Sequence, residues 1–419
     1  MKRSVIFRLP MILLTVWLFP VHGFAQTANS MYEAGVQKYK DKDYEGAITE
    51  FSNTINKSSY FFEAYLERAR CYLALGQTDK AIADCGKAIE IHAQYHQAFL
   101  LRGQIYAGLK NTKAALADYA KCLEIRPEYV DAYRSRSALY LSMGKNDEAL
   151  RDLNKAIDLK LKDADLLYER TVLYLKMGRA EDALQDLGAC IRMKADFGQA
   201  YYDRALIYLG RKDYKTAVTD LENAVKYGIA KEEVFMKRAE AYFVLENYQS
   251  ALPDFDRLLN EYKSKDLQVQ YKRGVCLFKL ERYEEAMKDF SRVAALDQKN
   301  ENANLYMAEI YIAQGKATGA LPYFSKVLSI NPKNTDVREK RAQMYFDQKK
   351  YTNAIADLDE AIKIKPAANA YYLRALCKDM LNDRKGACED LSSAAMLGHT
   401  EAAARKENYC KVINNYEKH

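Results

Sequence analysis

The feature that most constrains this chain is a period. Small residues recur along it at Gly35, Ala69, Gly103, Ser137, Thr171, Ala205, Ala239, Gly274, Ala308, Ala342 and Ala375, and eight of the ten steps between them are 34 residues. Twelve residues after each small residue stands an alanine, in all eleven cases, from Ala47 to Ala387. Four further on the side chain is always Phe, Leu, Tyr or Cys, as at Phe51, Cys85, Tyr119 and Leu391. Within each half of the period apolar residues fall three and four apart, which predicts two amphipathic helices per unit. Gly76, Gly144, Gly178 and Gly315 sit between the halves, and Pro127, Pro332 and Pro366 close units where a helix must stop. A small residue at the helix crossing lets two backbones approach, and the larger one fills the gap beside it. One such unit cannot bury its own apolar face, so only a stack is stable. With 49% hydrophobic and 29% charged residues, disorder and collagen are excluded.

The 34-residue period, the invariant alanine and the Tyr three after the small residue in eight units resemble the tetratricopeptide repeat. That resemblance implies an all-α fold, an α–α superhelical solenoid of helix–turn–helix units. The repeats divide as 28–61, 62–95, 96–129, 130–163, 164–197, 198–231, 232–266, 267–300, 301–334, 335–367 and 368–398. Residues 399–419 hold a C-terminal capping helix, with Ala402, Tyr409, Val412 and Ile413 available to the last repeat and Glu401, Arg405 and Lys406 toward water.

Charged residues follow the same register. An arginine precedes the small residue in nine repeats, and an aspartate follows the invariant alanine by three in the same nine. The sets are Arg68/Asp84, Arg102/Asp118, Arg136/Asp152, Arg170/Asp186, Arg204/Asp220, Arg238/Asp254, Arg273/Asp289, Arg341/Asp357 and Arg374/Asp390. The ninth repeat loses both, to Met307 and Tyr323; the first has Ala34 and Glu50. Joint presence and joint loss predict a partly buried structural ion pair across each hairpin, each Asp serving the Arg of its own repeat, rather than a row of ligand-binding arginines.

In the resembled family the first helix of each repeat lines a concave groove that grips peptides or partner helices. Six before the small residue every repeat carries an acid or amide, among them Asp131, Asp165, Gln199 and Glu233. These either satisfy free N–H groups at a helix start or form a polar rail for a bound backbone. Tyr32, Tyr168, Tyr202, Tyr271 and Tyr372 lie three before the small residue, as groove anchors or as packing between helices. The stretch 165–209, with Asp165, Tyr168, Val172, Tyr202 and Leu206, is the expected contact patch, extended by Asp131, Gln199, Glu233 and Tyr271. A clamp for chaperone-tail carboxylates is not expected. It would use Lys six before and Asn just after the small residue, and neither occurs.

Residues 1–25 read as a secretory signal: Lys2, Arg3 and Arg8, then a charge-free apolar run from Leu9 to Val21, then small residues before Gln26. The expected location is the periplasm or envelope of a Gram-negative bacterium, with no membrane span after the signal. The net charge of +7 falls to +4 without those three residues (61 basic against 57 acidic), too little for a nucleic-acid footprint. Of eight cysteines, Cys71, Cys85, Cys122, Cys190, Cys276 and Cys377 occupy packing slots and read as free thiols. Cys388 and Cys410 come close if the last helices form a hairpin near Gly398, where an oxidising compartment permits a disulfide. His92 and His96 lack a third ligand, so no metal or other cofactor is expected. With no nucleophile elbow, P-loop or glycine fingerprint, the reading is a non-catalytic scaffold whose partners are proteins or peptides rather than small-molecule substrates. A holding chaperone for outer-membrane or secreted clients is the alternative, and an envelope hydrolase with an unrecognised site the reading from another class.

Overall fold

The computed structural model describes residues 27–416, with side chains to residue 410; the signal-like segment, Val412 and Ile413 therefore lie outside the described side chains. Every described element is helical, and no described helix is long and apolar enough to cross a membrane. The chain is an all-α solenoid of helical hairpins that forms two compact units, the first ending at Met193 and the second beginning at Lys194.

Each hairpin is built on the same buried pair. All eleven invariant alanines are fully buried, and the large residues four further on are 0–4% exposed. The small residue is matched to that partner. A Cβ on Gly103 would come 2.8 Å from the Tyr119 ring, and one on Gly35 2.7 Å from Phe51. Where Thr171 or Ser137 stands, the partner is the smaller Leu187 or Leu153. Methyl-sized differences of this kind are felt in a close-packed interior.

Between the helices of every repeat, the residue seven after the small one takes positive φ, from 56° at Glu246 to 74° at Gly144. Glycine supplies it in four repeats and Asn382 in one; Lys42, Lys110, Lys212, Glu246, Glu281 and Lys349 supply it in six. The N–H of the next residue reaches back into the last turn of the first helix, from Asn111 to the Tyr106 carbonyl (2.9 Å) and from Arg282 to that of Leu277 (2.8 Å). Asp43, Asn111, Asp213, Asn247 and Asp383 then turn their side chains to cap the second helix.

The ninth repeat departs from this plan. Its second helix opens as a 3-10 turn, Ala317–Ala320, before the α-helix Leu321–Ile330 with Pro322 in its first turn. Proline has no N–H to donate, which suits a first turn, where that N–H would lack an intrahelical acceptor.

At the C-terminus the helix Thr400–Tyr416 packs on the last hairpin. Ala402 is fully buried in that contact, and a disulfide joins Cys388 to Cys410 with Cα atoms 5.6 Å apart. Arg405 is not simply solvated: its Nη2 donates to Asp379 Oδ2 at 2.7 Å, and the Tyr409 hydroxyl donates to the same carboxylate. The six other cysteines are buried thiols, and burial pushes those of Cys71, Cys85, Cys122, Cys190 and Cys276 up to about 12.

Candidate partner-binding face

The nine Arg–Asp sets form bidentate bridges across their hairpins. Arg102 Nε and Nη2 donate to Asp118 at 2.8 and 2.7 Å, and Arg238 donates likewise to Asp254 at 2.7 Å for both bonds. Arg136 holds Asp152 and Arg170 holds Asp186 at 2.8 Å through both nitrogens, and Arg204 holds Asp220 at 2.7 Å. Arg68 with Asp84, Arg273 with Asp289, Arg341 with Asp357 and Arg374 with Asp390 repeat the geometry at 2.6–2.8 Å.

The structure adds two features to the expected pairs. The pairs are partly buried, and unevenly so: the arginine side chains keep about a fifth of their surface, while the carboxylates sink into the hairpin core. Asp152, Asp186, Asp220, Asp357 and Asp390 are all buried, as are Asp84, Asp118, Asp254 and Asp289, so none of the nine can meet a ligand from solvent. The cause is position. Each aspartate stands three residues after the fully buried alanine and so shares its inward helix face. Nor is each aspartate reserved for one arginine. Lys378 Nζ also reaches Asp390 at 2.8 Å, Arg338 Nη1 approaches Asp357 at 3.6 Å, and Gln270 donates to Asp289. Hydrogen bonding to Asp118 outweighs the opposing burial and raises the Arg102 pKa further above its ordinary value.

The remaining Nη1 does more than complete a pair. It reaches the second helix of the preceding repeat at Ser52 from Arg68, Asn154 from Arg170, Asp256 from Arg273, Ser325 from Arg341 and Asp359 from Arg374, at 2.6–3.0 Å. Each acceptor stands five after the invariant alanine; Gly86 and Ala120 in that slot offer none to Arg102 or Arg136. In the ninth repeat Met307 Sδ receives the Ser291 hydroxyl at 3.4 Å, and Tyr323 stacks on Tyr311 with centroids 5.6 Å apart. In the first, Lys38 Nζ pairs with Glu50 at 3.0 Å.

On the other side of the first helices lies the candidate binding face. The residue six before the small one is the second residue of its helix in all eleven repeats, as Asp131 is in Val130–Ser142. There it meets the helix's free N–H groups and positive end. Some of these residues also line cavities. In the first unit, Gln97 and Asp131 help enclose about 510 Å3 together with Arg70, Gln104, Arg134 and Ser135, over Leu100 and Leu101. Gln104 Nε2 donates to Ser135 Oγ at 3.1 Å and Arg134 Nε to Glu169 Oε1 at 2.6 Å. Arg70 Nε is buried without a hydrogen-bond partner, although Glu67 Oε1 lies 3.4 Å away. Burial pushes the Glu67 carboxyl up, and Arg70 pulls against it.

The expected contact patch is divided between the units. In the first, Asp165 and Val172 are exposed on Ala164–Lys176 and Tyr168 is half-buried. In the second, Tyr202 is 8% exposed within a core cluster with Ala205, Leu221 and Val234; Leu206 packs against that cluster, and exposed Glu233 lies beside the tyrosine hydroxyl. Tyr271 packs against the rings of Phe290 and Tyr306, centroids 5.8 and 6.0 Å away. Tyr202 and Tyr271 therefore pack between helices, Tyr202 buried and Tyr271 half-buried. Their slot faces the next repeat's first helix. Gln199 Nε2 donates to Asp203 at 3.0 Å. His92 and His96 lie in ring contacts, His92 with Phe62 and His96 with Tyr129.

A second row of contacts escaped the sequence reading. The residue just after one small residue meets the one two before the next: Gln104 with Ser135, Glu240 with Lys272 (2.6 Å), Glu309 with Lys340 (3.4 Å). Opposite charges 31 or 32 residues apart were the available signal, visible only with repeats compared in register.

Known proteins agree with this architecture. Tetratricopeptide-repeat family models match residues 62–95, 96–129, 168–231, 236–301 and 311–377, and one described as TPR repeat matches 138–178. Among curated proteins, sperm-associated antigen 1 of Rattus norvegicus is 40% identical over 62 residues, 15% of this chain and 7% of the relative's length. The chain thus spans a small fraction of the curated relatives it matches. Among solved structures, Pseudomonas aeruginosa pilF is 18% identical with a TM-score of 0.42, covering 50% of this chain and 95% of that one. Yeast Tom70 is 17% identical with a TM-score of 0.32, covering 93% and 95%. Repeat for repeat, from the buried alanine to the hairpin turn, the chain belongs to the tetratricopeptide-repeat family, whose fold serves protein–protein interaction.

Proposed function

We propose that the protein is a non-catalytic scaffold or adaptor of the bacterial cell envelope, exported by its N-terminal segment, that holds a partner protein on its first-helix face. The observation that carries this is the cavity of the first unit. A buried guanidinium nitrogen of Arg70 that makes no hydrogen bond, beside the amides of Gln97 and Gln104, suits the carbonyls of an extended chain. Leu100 and Leu101 supply the apolar floor that such contacts need.

The test is crosslinked capture from native envelopes, comparing wild type with Arg70→Ala/Gln104→Ala. One or two stoichiometric partners lost in the variant support the scaffold. Many substoichiometric clients would make the protein a holding chaperone, and partners unchanged by the variant would sink the assignment of this face. Export has its own check. The only tryptophan is Trp17, so processed protein emits tyrosine fluorescence alone. Tryptophan emission from envelope-purified protein would mean the segment stays on as an anchor.

A further inference from the structure

In the second unit, four hairpins place a tyrosine at the first residue of the second helix: Tyr214, Tyr248, Tyr283 and Tyr351. Its ring covers the residue five positions earlier on the first helix. Tyr248 meets Phe243 edge-on at 5.8 Å, Tyr283 meets Phe278 at 5.8 Å, and Tyr351 meets Phe346 at 5.6 Å. The next repeat closes the slot: Tyr248 packs against the core cluster that holds Val275, Cys276 and Leu277.

The ninth repeat leaves the same slot unfilled. Ala317 stands where the tyrosine would be, Ile312 is the uncovered residue at 42% exposure, and Met344 of the tenth repeat is the far wall. With Phe278 and Ala313 these residues line a cavity of about 560 Å3, large enough for a ring and the chain that bears it. Its rim holds two carboxylates, Glu309 and Asp347, against one ammonium, Lys340. Glu309 is paired with Lys340, whereas Asp347 is met only by the neutral Gln343 amide, 2.8 Å away.

We infer that this slot receives an aromatic side chain from the partner, carried beside a basic residue that meets Asp347. The inference rests on the scaffold reading and adds the partner's chemistry. The four sibling hairpins define the occupant: the same three-walled position, closed in those four by the chain's own phenol ring, is here closed by a ring from outside. Aromatic anchors seated in a preformed apolar pocket carry a large share of interface energy.

The test uses the full chain labelled with 13C at methionine methyls and titrated with N-acetyl-Phe-Arg-Gly-amide or its leucine counterpart. The Met344 methyl signal moves upfield with the phenylalanine peptide, by the ring current of an inserted aromatic, and the leucine peptide binds about tenfold more weakly. In Ala317→Tyr the signal is already shifted before peptide is added and no longer responds, while helicity by circular dichroism and the Tm stay at least at wild-type values. A Met344 signal that ignores saturating phenylalanine peptide overturns the inference, as does a response that survives Ala317→Tyr. Envelope capture separates the two readings: a silent Met344 with Arg70-dependent partners fails the slot alone, whereas a responsive Met344 with no partners fails the scaffold alone.

Discussion

The eighth and ninth repeats are neighbours of equal length, each built on a buried alanine and phenylalanine: Ala286 with Phe290, and Ala320 with Phe324. Only the eighth carries the ion pair, Arg273 with Asp289, and ties itself backward to Asp256. The ninth reaches Ser291 of the eighth with a thioether and stacks two tyrosines across its own hairpin. The comparison separates two roles. Apolar packing makes a hairpin; the ion pair orients it and can be replaced when both partners change together.

The sharpest way to break that comparison is to remove one partner. Asp289→Ala takes the buried bidentate carboxylate from Arg273, leaving it Asp256 alone, and should cost about 3–5 kcal/mol, read as lost hydrogen-exchange protection over Leu267–Leu296. The double change Arg273→Met/Asp289→Tyr, which writes the ninth repeat's residues into the eighth, should cost less than half as much. Equal losses would mean the pair stabilises outright. At the other end of the second unit, Cys388→Ser opens a loop whose cysteines are 22 residues apart and should release about 3 kcal/mol of support for the cap helix, detected as new proteolysis near Thr400–Tyr416. Unchanged cleavage would show that the Asp379 contacts suffice. On the packing side, Gly103→Ala forces a methyl to within 2.8 Å of Tyr119 and should cost about 1–3 kcal/mol; adding Tyr119→Leu recovers part of it. The smallest effect is a gain: Lys110→Gly relieves a side chain held at φ 60° and should raise stability by about 0.5–1 kcal/mol in thermal unfolding.

Much of the fold was legible because it repeats. Ala47 to Ala387 mark the hairpins, and Arg with Asp, present or absent together, marks a contact that no single repeat could reveal. The depth at which Asp152 or Asp220 lies was not legible, since a charge in a sequence carries no sign of which way its helix turns it. The turns were only partly legible. Glycine signals four of them, while lysine and glutamate hold the same positive φ in six because a backbone hydrogen bond and the flanking helices outweigh the local cost. The face that meets a partner was hardest to read. Arg70 and Arg134 break the period rather than follow it, and Tyr202 and Tyr271 show their packing only once the next repeat is stacked on them.

The backward reach of the arginines makes the repeats unequal building blocks. A protein engineer shortening the array would find some seams already loose: Arg102 of the third repeat finds no acceptor in the second, where Gly86 stands, and Arg136 of the fourth finds none in the third, where Ala120 stands. Cutting between the seventh and eighth repeats severs Arg273 from Asp256, and between the tenth and eleventh Arg374 from Asp359. Fragments divided at the loose seams should keep their ends folded, and transplanting a serine or aspartate five residues after the alanine offers a way to sew a new seam shut.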